Sequence, residues 1–224
     1  MHPLPWVLGV AIRGYSLAFL GFVTLALFAP WSGLGDLRGG PVPEWIPSMG
    51  SVMAVAMFFP VTVFAGNLLG TASSNLQRIW KDLSLRFIVV GTLLFAVCVY
   101  LGVLFAIPAL AEITQFTLLG NFQFTYVVHG LFAMTAFGIS YYWLPLLFDG
   151  KRPPELLVAG HFWVALCGVA TLLAAAVRGG LAGGAVANFG AGDWAGAIAP
   201  FNALTLAGES LLFTSAILFG VNLY

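Results

Sequence analysis

The stretch from Leu85 to Leu110, LRFIVVGTLLFAVCVYLGVLFAIPAL, decides the fold. Beyond Arg86 it carries no charge. At about 1.5 Å per residue a helix of this length crosses a hydrocarbon core about 30 Å thick. Hydrocarbon offers backbone amides no partner, so a run of this kind is stable there as a helix. Outward from it, five further apolar runs repeat the pattern. The sequence predicts helices at 6–29, 46–70, 85–110, 122–148, 156–178 and 199–222. Pro30 to Pro47, Ser73-Ser74-Asn75 and Asp149 to Pro154 supply turn residues between them. The glycine- and alanine-rich segment from Arg178 to Asp193 reads as a loop lying against the membrane surface. The expected fold is all-α: a polytopic membrane protein with six transmembrane helices in a single transmembrane domain, 1–224.

Composition agrees. The chain is 61% hydrophobic and 7% charged, its mean hydropathy is +1.01, and its formal net charge is zero. An ordinary soluble domain is excluded, and nothing invites nucleic acid. The first run is broken by Arg13, which argues against a cleavable signal peptide. Arg78, Lys81 and Arg86 in the second loop and Lys151 and Arg152 in the fourth face only Arg38 and Arg178 on the other side. The positive-inside tendency then places both termini in the cytoplasm. Trp6, Trp45, Trp143 and Trp163 suit the membrane boundary, as does Phe162.

Few residues could carry chemistry. His129 lies in the fourth run, FQFTYVVHGLFAMTAFGISYYWLP (122–145), where an ionisable side chain is costly. It can ligate a haem as a neutral imidazole or hydrogen-bond across a helix interface. His161, in Gly160-His-Phe-Trp, reads as a structural hydrogen-bonding residue, and His2 is terminal. Glu209, near the middle of the last run, has no basic mate at its depth. It is either a proton site or a carboxyl paired across an interface. Cys98 and Cys167 lack metal-binding spacing and read as small core residues. Gly179-Gly180 and Gly183-Gly184 lack the strand–turn–helix context of a phosphate loop. Neither a nucleophilic triad nor a carboxylate pair suited to hydrolysis is spaced along the chain. A transporter using Glu209 lacks the paired broken helices of that class.

Three stretches, in order, resemble the catalytic membrane subunit of haem–copper oxidases, most closely the cbb-type branch and its nitric oxide reductase relatives. They are VPEWIPSMGSVM (42–53), LRFIVVG (85–91), and Gly130 to Pro145 with Tyr141-Tyr142 followed by Gly160-His-Phe-Trp. The resemblance covers nearly the whole chain but only the family's C-terminal half. It implies haem ligands at Gln123 and Thr125 and copper ligands at Trp31 and Ser32, none of which is histidine here. The family's active-site tyrosine falls near Leu25 and its glutamate near Leu101. So the resemblance implies the scaffold without the reaction: a non-catalytic subunit of a bacterial inner-membrane respiratory complex. Its partners would be other membrane subunits, including cytochrome c-type ones, with quinone or lipid in the former haem space. Small residues (Gly50, Ala54, Gly66, Gly70 and Gly208) would let partner helices approach. The alternative is a b-type cytochrome in which His129 holds haem b for electron transfer between quinol and cytochrome c.

Overall fold

The computed structural model describes residues 3–12, 14–119, 125–147, 152–190 and 192–223. His2, Arg13, Gln123, Asp149 and Lys151 lie outside them. Among the described residues there is no strand, and six helical spans are long and apolar enough to cross a membrane. They are Tyr15–Leu37, Trp45–Ser73, Leu83–Phe105, Val127–Leu147, Glu155–Phe189 and Trp194–Asn222. In detail these are α2 (Tyr15–Ser32) with a 3₁₀ turn (Gly33–Leu37), α3 (Trp45–Ala56), α4 (Phe58–Ser73) and α6 (Leu83–Phe105). Then come a π-helical segment (Val127–Ala133) running into α8 (Met134–Leu147), then α9 (Glu155–Phe189) and α10 (Trp194–Asn222). Short helices α1 (Leu4–Leu8), α5 (Leu76–Lys81) and α7 (Pro108–Thr114) join or flank the spans.

Three boundaries differ from the sequence expectation, each for a local reason. The first run is divided. Gly9 takes φ 67° and closes α1, and the membrane helix begins only after Gly14, running through Pro30 to Ser32. The third run stops at Phe105, and Pro108, whose missing N–H suits a first turn, opens α7.

The largest correction concerns residues 179–193, expected as a loop. The helix continues to Phe189, and α10 already starts at Trp194, where the Asp193 carboxylate caps the Ala195 and Gly196 amides at 3.1 and 2.9 Å. Arg178 therefore sits inside α9 rather than in a loop. Glycine inside a helix costs about 1 kcal/mol relative to alanine. Close packing offsets that cost here: a Cβ on Gly184 would lie 2.1 Å from the Ile113 carbonyl oxygen, and one on Gly180 would lie 2.5 Å from Leu119 Cγ. These glycines are the groove into which α7 and the segment after it fit. Gly208 does the same for α10 on α9, its would-be Cβ meeting Leu172 at 2.9 Å. A Cβ on Gly50 would lie 2.0 Å from the Gly35 backbone nitrogen, so only glycine lets α3 pack there, whereas Gly66 faces open space.

The core is built around α6. Leu85 and Ile88 pack with Leu4, Leu8, Leu68 and Ile79, and Phe87 packs with Met134, Tyr141, Val158, Phe162 and Ala165. Phe162 is thus core rather than boundary belt. Trp6, Trp45, Trp143 and Trp163 are exposed. Arg78 donates to the Leu8 and Val7 carbonyls at 3.0 and 3.5 Å, and Trp6 stacks edge-on with Tyr142 and Trp143. The N-terminal segment, α5 and the C-terminal end of α8 therefore share one end of the bundle. Cys98 is buried, but Cys167 faces outward and is no core residue.

Candidate functional site

His129 sits in the π-helical segment, a helical form enriched at functional positions. It is half-buried, and its Nδ1 lies 2.9 Å from the Thr125 carbonyl oxygen. Only a protonated Nδ1 can make that bond, so the neutral ring presents an unprotonated Nε2. Thr125 contributes a backbone acceptor and nothing suited to iron. Gly130 beside it packs against Leu94 of α6, its would-be Cβ 3.2 Å from Leu94 Cβ.

The positions matched to the copper ligands lie on the last turn of α2. Ser32 donates its hydroxyl to the Ala29 carbonyl at 2.8 Å, and the Trp31 indole is exposed. Ser32 and Leu25 both line a cavity of about 820 Å³ between α2, α3, α6 and the end of α7. Its apolar lining includes Phe95, Val99, Val103 and Val127. Its polar lining includes Ser32, Asp36, Ser51, Thr114 and Gln115. His129, two residues beyond Val127, is not among the lining residues. Copper prefers imidazole or thiolate donors, and among the described residues no three His, Cys, Asp or Glu side chains gather as a metal site. An alcohol committed to its own helix and an indole, which has no free lone pair, do not fit a copper ion.

Glu209 lies on the exposed side of α10, next to the buried Gly208 and about one turn from exposed Leu206 and Phe213 on the same face. Among the described residues no basic side chain bonds to it.

Sequence reasoning assigned His161 a structural hydrogen bond but missed its partners. The ring is fully buried, and the Tyr141 hydroxyl lies 2.7 Å from its Nδ1. Asn222 Nδ2 donates to that same hydroxyl at 2.8 Å. Having accepted from Asn222, the hydroxyl keeps both its own hydrogen and a second lone pair for Nδ1, and the buried Nε2 of His161 has no partner among the described residues. Phe87, Phe137 and Phe219 enclose the ring with centroids at 5.0, 4.5 and 5.7 Å. Three residues separated by 20 and 81 positions give no local spacing to find. The only sequence signal was polar side chains at the ends of three apolar runs.

With this geometry in view, comparison with known proteins is decisive. Residues 2–211 match the model of the family "Cytochrome C and Quinol oxidase polypeptide I". The chain belongs to that family. It is 26% identical over 180 residues to the Cbb3-type cytochrome c oxidase subunit CcoN1 of Stutzerimonas stutzeri, covering 77% of this chain and 37% of the relative. It is 24% identical over 226 residues to the cytochrome c oxidase subunit 1 homolog, bacteroid, of Bradyrhizobium diazoefficiens, covering 95% of this chain and 41% of the relative. Against cytochrome c oxidase subunit 1 of Rhodobacter capsulatus the identity is 26% over 162 residues, covering 70% and 30%. The chain thus spans between 30% and 41% of these relatives. It is a multi-pass, haem–copper-oxidase-like membrane protein.

Within this oxidase family member the Tyr141 hydroxyl ties α8, α9 and α10 together. Tyr141→Phe leaves buried polar atoms of His161 and Asn222 without their partner. Unfolding in mixed detergent micelles should show a loss of about 1–3 kcal/mol. In selectively ¹⁵N-labelled protein the Nδ1 resonance of His161 should shift.

Proposed function

We propose that this chain is a non-catalytic subunit of a respiratory electron-transfer complex, a scaffold that packs against redox partner subunits, cytochrome c-type subunits among them. One observation carries the reading: Glu209, a carboxyl, stands on the outward side of a membrane-spanning helix. α2 buries only Gly21 within the chain, leaving Phe19, Phe22, Leu27 and Trp31 exposed. α10 exposes Leu206, Phe213, Ile217 and Val221, with Glu209 on the same side. A carboxyl in hydrocarbon needs a hydrogen-bonding or basic mate, and a partner helix is the place for one. The non-catalytic part rests on Ser32 and Trp31, whose side chains suit no copper ion. The basic second and fourth loops support an inner-membrane orientation with both termini in the cytoplasm.

Purification from native membranes in mild detergent tests the scaffold. A tagged chain should bring down haem-staining membrane subunits in fixed ratio, and Glu209→Leu should cut that recovery at least fivefold. A monodisperse chain with no companion contradicts the proposal.

A second reading has an observation of its own. His129 is held with Nδ1 donating and Nε2 free, the form that ligates haem iron, with its orienting acceptor in place. In that reading His129 would hold one haem b through Nε2, its ring oriented by the Thr125 carbonyl. The haem, when bound, passes single electrons between quinol and cytochrome c. A reduced-minus-oxidised spectrum with a haem band that vanishes in His129→Ala supports it. A purified chain without any band contradicts it.

A further inference from the structure

A second space lies at the end of the bundle where α5, the start of α6, the end of α8 and the start of α9 meet. It is an open cavity of about 1390 Å³. Arg78, Lys81, Arg86 and Arg152 line it, against two carboxylates, Asp82 and Glu155. Among the described residues none of the four cations is ion-paired. Asp82 instead caps α6, accepting from the Ser84 amide at 2.9 Å. Glu155 sits in the first turn of α9, where the helix dipole favours a negative charge. The bonds the arginines make go to neutral acceptors. Arg78 donates to the Leu8 and Val7 carbonyls, and Arg86 Nη2 to the Trp80 carbonyl. A carbonyl orients a guanidinium without cancelling its charge. The buried Arg86 Nε has no partner among the described residues, and Lys81 and Arg152 are exposed.

Positive charge without an answering carboxylate attracts an anion, and the rest of the lining says which kind. Leu76, Leu146 and Leu156 border the same space and are 53%, 71% and 83% exposed. Leu146 lies at the end of one membrane span and Leu156 at the start of the next, so the cations stand where hydrocarbon gives way to headgroups. A soluble anion gains nothing from that apolar border, whereas a lipid chain does. We propose that this cavity binds an anionic phospholipid, its phosphate held among Arg78, Lys81, Arg86 and Arg152 and its chains along Leu146 and Leu156. Basic pockets between membrane helices suit headgroups of that charge. The site is separate from Glu209 and from the cavity beside Ser32, and it does not rest on the scaffold reading.

The test titrates the full chain, stripped of lipid in dodecyl maltoside, with dioleoyl phosphatidylglycerol or dioleoyl phosphatidylcholine and counts bound lipid by native mass spectrometry. Phosphatidylglycerol should fill a saturable site about tenfold more tightly than phosphatidylcholine, and high salt should weaken it. It should also stay bound in the presence of equimolar inorganic phosphate. Lys81→Gln and Arg152→Gln, both at exposed positions, should each weaken phosphatidylglycerol binding about fivefold and leave phosphatidylcholine unchanged. Arg178→Gln removes the same charge from far along α9 and should change neither. Equal affinity for the two lipids overturns the proposal, as does phosphatidylglycerol binding that salt does not weaken. An equal loss in Arg178→Gln shows attraction by net charge without a site and overturns it too. Displacement by equimolar inorganic phosphate identifies a soluble anion as the ligand and overturns the assignment to lipid.

Discussion

Hydrocarbon supplies no hydrogen bonds, and that constraint orders everything else in this molecule. Each polar group within a span has to find its partner in the protein. Most do so at home. Thr24, Thr62, Thr92, Ser140, Thr171 and Ser210 all return their hydroxyls to carbonyls one turn back in their own helices. Others need a neighbour, as Tyr141 does in linking His161 to Asn222, and these bonds specify which helices meet. The exception is informative. Glu209 has no basic partner among the described residues, and it lies on the exposed side of α10.

Association of helices in lipid gains little from the hydrophobic effect and depends on close packing. The glycines of α9 follow from that. A Gly-Gly-Leu-Ala-Gly-Gly run has poor helix propensity and the composition of a loop, so reading it locally gives a loop. Its helical state comes from α7 and α10 pressing where a Cβ would stand, a tertiary fact that no window of sequence contains.

How much was legible follows the same division. Six spans came from run length alone, because the bilayer sets that length. Glu209 and His129 were visible as costly residues in apolar runs. The division of the first run at Gly9 depended on a left-handed turn, and the break after Phe105 on a proline that reads equally as a kink. The Tyr141 hub stayed hidden because its members lie in three separate helices. The cavity was hidden for a simpler reason: Ser32, Ser51 and Gln115 are unremarkable one at a time, and only the fold turns them toward one space.

Membership of the oxidase family explains the six-span fold, and the proposal that this chain stands apart from the reaction rests on Trp31 and Ser32. Ser32, which the resemblance aligns with a copper ligand, bonds its own helix, and neither it nor Trp31 offers the imidazole or thiolate donor that copper prefers. The most direct measurement is elemental analysis of the purified chain after incubation with copper and removal of loosely bound ions. The account predicts well under one copper per chain, unchanged in Ser32→Ala. Retention of one equivalent, lost on substitution of Ser32 or its neighbours, would contradict it.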